Sequence, residues 1–152
     1  MPCCTTNRVC NPNRVRGLPG PSGVSVYQYY VGNNNSEQSF IEDLSLTLFS
    51  DNLGGLPAQN SIPLALSVQL GNSTDTIYTL TFTLSITDGT IAPSTFIVNV
   101  PPGDNSFLFP FLLTVPDGIG SNTLQLTGQI SDYANVNVYN INISGAFRFP
   151  VV

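Results

Sequence analysis

From Val24 onward, hydrophobic and polar residues alternate with a period of two. The clearest stretch is Tyr78-Thr-Leu-Thr-Phe-Thr-Leu-Ser-Ile-Thr87. Its Tyr78, Leu80, Phe82, Leu84 and Ile86 would face a core, while Thr79, Thr81, Thr83, Ser85 and Thr87 face out. Strict alternation with β-branched residues on the outer face is the signature of a half-buried strand. Leu44, Leu46 and Leu48 follow the same rule, as do Leu64, Leu66, Val68 and Leu70, and Leu124 with Leu126. Residues 107–115 are apolar at both phases, which predicts a strand buried on both sides, within the domain or between subunits. Pro110 inside it requires a sheet edge or a bulge. Near the C-terminus the phase switches between Val136/Val138 and Ile141/Ile143, so one extra residue is expected at Tyr139-Asn140, a β-bulge.

The pattern predicts eight strands, at 24–31, 40–49, 62–70, 76–87, 90–100, 106–115, 122–131 and 136–149. Turn-forming residues separate them: Gly32–Asn35, Asp51–Gly55, Gly71-Asn72, a hairpin at Asp88-Gly89, Pro101–Asp104, Asp117-Gly118 and Asp132. No segment has helical period with a cap. The expected fold is all-β, an eight-stranded antiparallel jelly-roll sandwich. An immunoglobulin-type sandwich ranks second and lacks its Cys…Trp…Cys core. A sandwich leaves sheet edges, which a solitary protein blunts with lysine or other charge. This chain has no lysine, and its 136–149 strand carries no charge before Arg148. Undefended edges are expected where subunits pair.

Composition narrows the chemistry. The chain has 152 residues, of which 9% are charged. Ser, Thr, Asn and Gln fill a third of it. Without histidine there is no Ser-His-Asp or Cys-His catalysis and no His-based metal site. Without lysine there is no Schiff base and no P-loop. No enzyme, cofactor or resident metal is expected. The net charge of −5 argues against nucleic-acid binding. No apolar run is long enough for membrane insertion.

The charge is unevenly placed. Residues 1–23 carry Arg8, Arg14 and Arg16 and no acid, while 24–152 carry nine acids and Arg148. The first 23 residues also hold Cys3, Cys4 and Cys10, four prolines and three glycines, with no strand or helix period. We read 1–23 as an extended N-terminal arm and 24–152 as the jelly-roll domain. Extended, the arm reaches roughly 75 Å, against a radius of gyration of about 14 Å for such a domain. It can therefore reach a neighbouring subunit, and a positive arm is drawn to a negative body. Gly17, Pro19, Gly20, Pro21 and Gly23 form two collagen-like triplets, too few for a triple helix, and read as a stiff spacer. An apolar leader core is missing after Met1, so export through a signal peptide is not expected.

Other groups read as structural. Adjacent Cys3 and Cys4 rarely bond each other, and three is an odd number, so the reading taken is an intermolecular disulfide. Free thiols, or a zinc site shared between chains, are the alternatives. Asp51, Asp75, Asp88, Asp104, Asp117 and Asp132 sit in turns, where the side chain bonds its own backbone. Two apposed acidic loops holding calcium is a weaker alternative without EF-hand spacing. Glu42 and Asp43 would point to opposite faces of a strand. Tyr27, Tyr29 and Tyr30 read as core or interface packing.

A short arm bearing Cys3, Cys4 and Cys10, a Gly/Pro spacer and an uncharged jelly roll resemble the subunits of bacterial endospore appendages. The resemblance implies edge-to-edge strand augmentation between subunits, N-terminal connectors that cross-link neighbours, and a homopolymer at the spore surface. Well-known members of that family carry body cysteines that receive the connector's bonds. This body has none, so arm-to-arm bonds or non-covalent docking would replace them. The alternatives to a filament subunit are a trimeric jelly-roll head that binds a receptor or glycan, and a viral capsid or fibre protein.

Overall fold

The computed structural model describes residues 25–86, 94–115 and 122–150. They form nine strands and no helix: β1 (Ser25–Asn34), β2 (Gln38–Ser39), β3 (Ser45–Gly54), β4 (Gln59–Asn72), β5 (Tyr78–Ile86), β6 (Ser94–Val100), β7 (Gly103–Val115), β8 (Asn122–Ile130) and β9 (Val136–Pro150). The expected eight become nine because the two-residue β2 pairs with Asn137 and Val138 of β9, prolonging the line that β1 begins.

The strands form two antiparallel sheets. Sheet I has the order β1-β9-β4-β7, with β2 also on β9, and sheet II the order β3-β8-β5-β6. Successive long strands switch sheets at every connection except β5 to β6, which is jelly-roll-like winding. Alternation explains the layers. Leu64, Leu66, Val68 and Leu70 of β4 point inward, as do Leu80, Phe82, Leu84 and Ile86 of β5 and Leu124 and Leu126 of β8. The outer row of β5 is hydroxylated, as its sequence predicts. The expected bulge is present: the β9–β4 register shifts between Val138 and Asn140.

Several expectations are corrected. Among the described residues, strand 107–115 is not covered on both faces. Phe107, Phe109 and Phe111 point inward, while Leu108 and Leu112 are 74% and 66% exposed, because β7 is an edge strand with only the core sheet beneath it. Pro110 lies on that edge, where it interrupts no central ladder. Strand 136–149 is not an edge. β9 pairs on one side with β1 over Ile141–Pro150 and with β2 at Asn137 and Val138, and on the other with β4 over Val136–Gly145, so its charge-free sequence reflects a place inside the sheet. The Gly32 turn is absent: Gly32 continues β1 and pairs with Ile143, and glycine is needed there because a Cβ would collide with the Tyr30 hydroxyl and the Phe49 ring. Residues 40–44 are not strand, yet Phe40 is fully buried, and its N–H donates to Val136 O. Asp51–Gly54 is strand rather than turn, with register shifts at Thr47/Phe49 and Asn52/Gly54. The first shift turns both Leu48 and Phe49 inward. The Asp88-Gly89 and Asp117-Gly118 turns lie outside the described residues.

Aromatic rings close both flanks of the core. On one, Phe96 stacks 5.0 Å from Phe109 and lies edge-on to Phe111 at 4.9 Å, with Phe82 beside Phe109 at 5.5 Å. On the other, Tyr30 meets Phe147 edge-on at 5.6 Å. Phe82 is fully buried, so Phe82→Ala is expected to cost about 3–5 kcal/mol. Thr83→Ala on the outer row should stay within about 0.5 kcal/mol. Denaturant unfolding of the two variants checks this.

Candidate assembly surfaces

The arm residues singled out from sequence, Cys3, Cys4, Cys10, Arg8, Arg14, Arg16, Gly17, Pro19, Gly20, Pro21 and Gly23, lie outside the described residues. The structure fixes their point of attachment. Ser25 pairs with Pro150 at the start of β1, so the chain enters the sandwich at one end of an edge strand. We call this the root end.

Strand directions separate the charges. β9 starts, β4 ends, β7 starts and β8 ends at the far end. The connections there carry Glu37, Glu42, Asp43, Asp75 and Asp132, and Asp104 opens β7 beside them. Six of the nine acids thus crown the far end, whereas Arg148 pairs with Tyr27 near the root. Asp132 behaves as a turn aspartate, accepting from the Tyr133 N–H at 2.8 Å. Asp51 does not. It accepts the Tyr30 hydroxyl at 2.6 Å, tying β1 of sheet I to β3 of sheet II. Tyrosine and aspartate 21 residues apart on different sheets leave no local sequence signal.

Among the described residues five strands have a single ladder partner: the two-residue β2, and the four long strands β1, β7, β3 and β6. Their defences differ. β3 is kinked by two register shifts and carries Asp51, and its carbonyls at Thr47 and Leu48 accept from Gln38 and Asn34 side chains. β7 carries Pro110, and its Leu112 carbonyl accepts the Ser94 hydroxyl. β1 and β6 have no charge, no proline and no register shift. They belong to different sheets and lie at opposite flanks, since β1 sits over β3 and β6 beside β7. These are the edges able to accept another strand.

The tyrosine cluster divides. Tyr30 packs inward on Phe147, while Tyr27 and Tyr29 stand outward, 70% and 73% exposed. Near the root, Gln59 bonds the Arg148 backbone twice: its Nε2 donates to Arg148 O at 2.9 Å and its Oε1 accepts the Arg148 N–H at 2.8 Å. The Arg148 guanidinium donates to Ala58 O. Among the described residues no group of three or more His, Cys, Asp or Glu converges as a metal site. No helix there is long and apolar enough to cross a membrane. The polar hollow of about 530 Å³ between Gln69, Asp104, Ser106 and Tyr139 holds one carboxylate.

No family model matches the chain, and no curated protein matches it in sequence. Solved structures do. The T13 particle of infectious bursal disease virus matches with a TM-score of 0.50 and 17% identity, over 82% of this chain and 36% of that one. The Gx strain of the same virus gives 0.47 and 14% identity, over 93% and 42%. Dimeric latent PorU from Porphyromonas gingivalis gives 0.46 and 12% identity, over 81% and 13%. The chain spans less than half the length of each. At such identities the first of these likenesses is one of fold, a two-sheet β-sandwich, and it extends no further.

Burial, then the bond to Asp51 and that carboxylate's charge, hold the Tyr30 phenol well above the ordinary tyrosine range. The folded state keeps this proton more tightly than the unfolded chain does. The stabilisation is therefore full at neutral pH and is lost as pH rises beyond about 10. Tyr30→Phe should lower stability by about 1 kcal/mol at neutral pH. It should also flatten the alkaline loss, as read from unfolding midpoints between neutral pH and pH about 11.

Proposed function

We propose that this protein is a structural subunit of a self-assembling extracellular filament of the spore-surface appendage type, polymerising by strand augmentation at its sheet edges. The observation that carries the reading is the pair of undefended edges on opposite flanks, β1 of sheet I and β6 of sheet II. Main-chain N–H and C=O groups along such an edge pair with a strand of the next copy. Because the two edges are different surfaces, the contact is heterologous. It repeats without self-cancellation, giving a ring if the rotation closes and an open helix if it does not.

The arm supplies the second contact in this reading. Arg8, Arg14 and Arg16 precede the root, and the far end carries six carboxylates, so a cationic arm leaving one copy meets an acidic end on the next. The Gly17–Gly23 spacer sets the distance. Cys3, Cys4 and Cys10 would then cross-link arm to arm, since the body contains no cysteine. The assembly needs no catalytic group, cofactor or nucleic acid. Its resemblance to endospore appendage subunits rests on Cys3, Cys4, Cys10 and the spacer. A viral shell protein is the reading that the shared winding keeps alongside it.

Thr95→Lys with Ile97→Lys places two charges on β6 without touching the core, since both side chains are exposed. Electron microscopy of the full chain should show filaments, and this variant should show none, with its unfolding midpoint within about 2–4 °C of the parent. Deleting residues 1–16 should shorten filaments and remove reductant-sensitive cross-links. Closed shells, or a monomer indifferent to both changes, would contradict the reading.

A further inference from the structure

The outward face of sheet I carries large exposed apolar side chains over its root half, rimmed by Arg148 on one side and by Asn33, Asn142 and Ser67 on the other, and nothing among the described residues covers it. Register lines the residues up in rows across the four strands. Val31, Ser144, Ala65 and Pro110 form one row, and Asn33, Asn142, Ser67 and Leu108 the next toward the far end. Toward the root, Tyr29 pairs with Ala146 and Pro63 with Leu112, and beyond them Tyr27 pairs with Arg148. Further from the root the face turns polar, with Asn140 opposite Gln69 and Gln69 opposite Ser106. Tyr27, Tyr29, Leu108 and Leu112 are each at least two-thirds exposed. A contiguous patch of this kind marks a binding surface rather than scattered exposure.

We infer that this face is a homodimer interface, in which two copies pack sheet I against sheet I about a two-fold axis running along the strands. Three features select a second copy as the occupant. Area is the first: four strands about 4.8 Å apart and four outward rows about 6.8 Å apart cover about 500 Å² per copy. A pair thus buries about 1,000 Å², the threshold of a stable interface.

Charge is the second feature. In a chain of net charge −5, these four rows hold Arg148 and no carboxylate. The nearest acid on this face, Asp104, pairs with Gly71 two rows beyond Leu108. This is where two copies approach with least repulsion.

Shape is the third. The face has projecting aromatic rings on β1 and a groove at its other margin, about 590 Å³, between Pro63, Pro110 and Leu112 on one side and Ser94, Thr95 and Phe96 of β6 on the other. A two-fold axis along the strands brings β1 of each copy over β7 of the other. Tyr29 then seats beside Leu112 twice, once in each direction, as an isologous contact requires. Tyrosine suits the position, since its ring is apolar and its hydroxyl remains at the wet rim. The contact uses a face where filament growth uses edges, although Ser94–Phe96 of β6 also border the groove, and it would make the strut two subunits thick.

The test uses the full chain carrying Ile97→Lys and Asn99→Lys, exposed β6 positions outside the groove, in reductant, so that neither edge growth nor disulfides obscure the result. Sedimentation velocity at micromolar concentration should find a dimer. Adding Tyr29→Asp and Leu112→Asp should weaken self-association by at least about tenfold, with an unchanged unfolding midpoint because both side chains are exposed. Mixing a Tyr29→Asp chain with a Leu112→Lys chain should recover mixed dimers, which a folding defect would not do. A monomeric parent, undiminished dimerisation of the double aspartate variant, or no mixed dimers would each overturn the inference. If the edge variant still forms filaments while the aspartate variants lose the dimer, the edge reading fails and the face contact survives.

Discussion

A β-sheet cut off at a strand leaves a row of main-chain donors and acceptors with no partner but water. That constraint governs this protein. Its sandwich buries a continuous core between a five-stranded and a four-stranded layer, and the long strands of each layer end in two edges. Two of those edges are managed: β3 by its register shifts, Asp51 and side-chain bonds to its carbonyls, β7 by Pro110 and the Ser94 hydroxyl. The other two, β1 and β6, are left regular and uncharged. A chain without lysine has given up the commonest means of keeping such edges apart.

The remaining features arrange themselves around that constraint. The core holds the layers in fixed relation through rings at both flanks, Phe96 with Phe109 and Tyr30 with Phe147. The Tyr30–Asp51 bond fastens β1 to the opposite layer at the same flank, so the open edge is presented on a rigid support. Among the described residues charge is segregated lengthwise, with six of the seven carboxylates toward the far end and Arg148 near the root. The outer face of sheet II is hydroxyl-rich, while the root half of sheet I exposes Tyr27, Tyr29, Leu108 and Leu112. The molecule thus offers surfaces of different chemistry in different directions, which is what an ordered array requires of its repeating unit.

How much of this was legible in the sequence follows the range of each interaction. The alternation from Tyr78 to Ile86 is local, and its inward and outward rows were readable residue by residue. So was the bulge, because the phase change is written in the spacing of Val136, Val138, Ile141 and Ile143. Edge status was not readable, because it depends on pairing between residues such as Ser67 and Asn142, 75 positions apart. This is why 136–149 looked like an edge and is interior. The apolar 107–115 strand looked doubly buried because sequence shows what a face is made of, not what lies against it. Asp51 looked like a turn former, since its partner Tyr30 lies on the other layer. The arm residues were read from composition and charge alone.

The central claim is that β1 and β6 are open edges that close on each other in the assembly. Amide hydrogen exchange of the full chain, compared between dilute and assembled protein, tests it most directly. The account predicts that the outward-directed amides of Ser25–Asn34 and Ser94–Val100 exchange freely when dilute and become strongly protected on assembly, while core strand β9 is protected throughout. Amides of β1 and β6 that exchange equally fast in both states would contradict it.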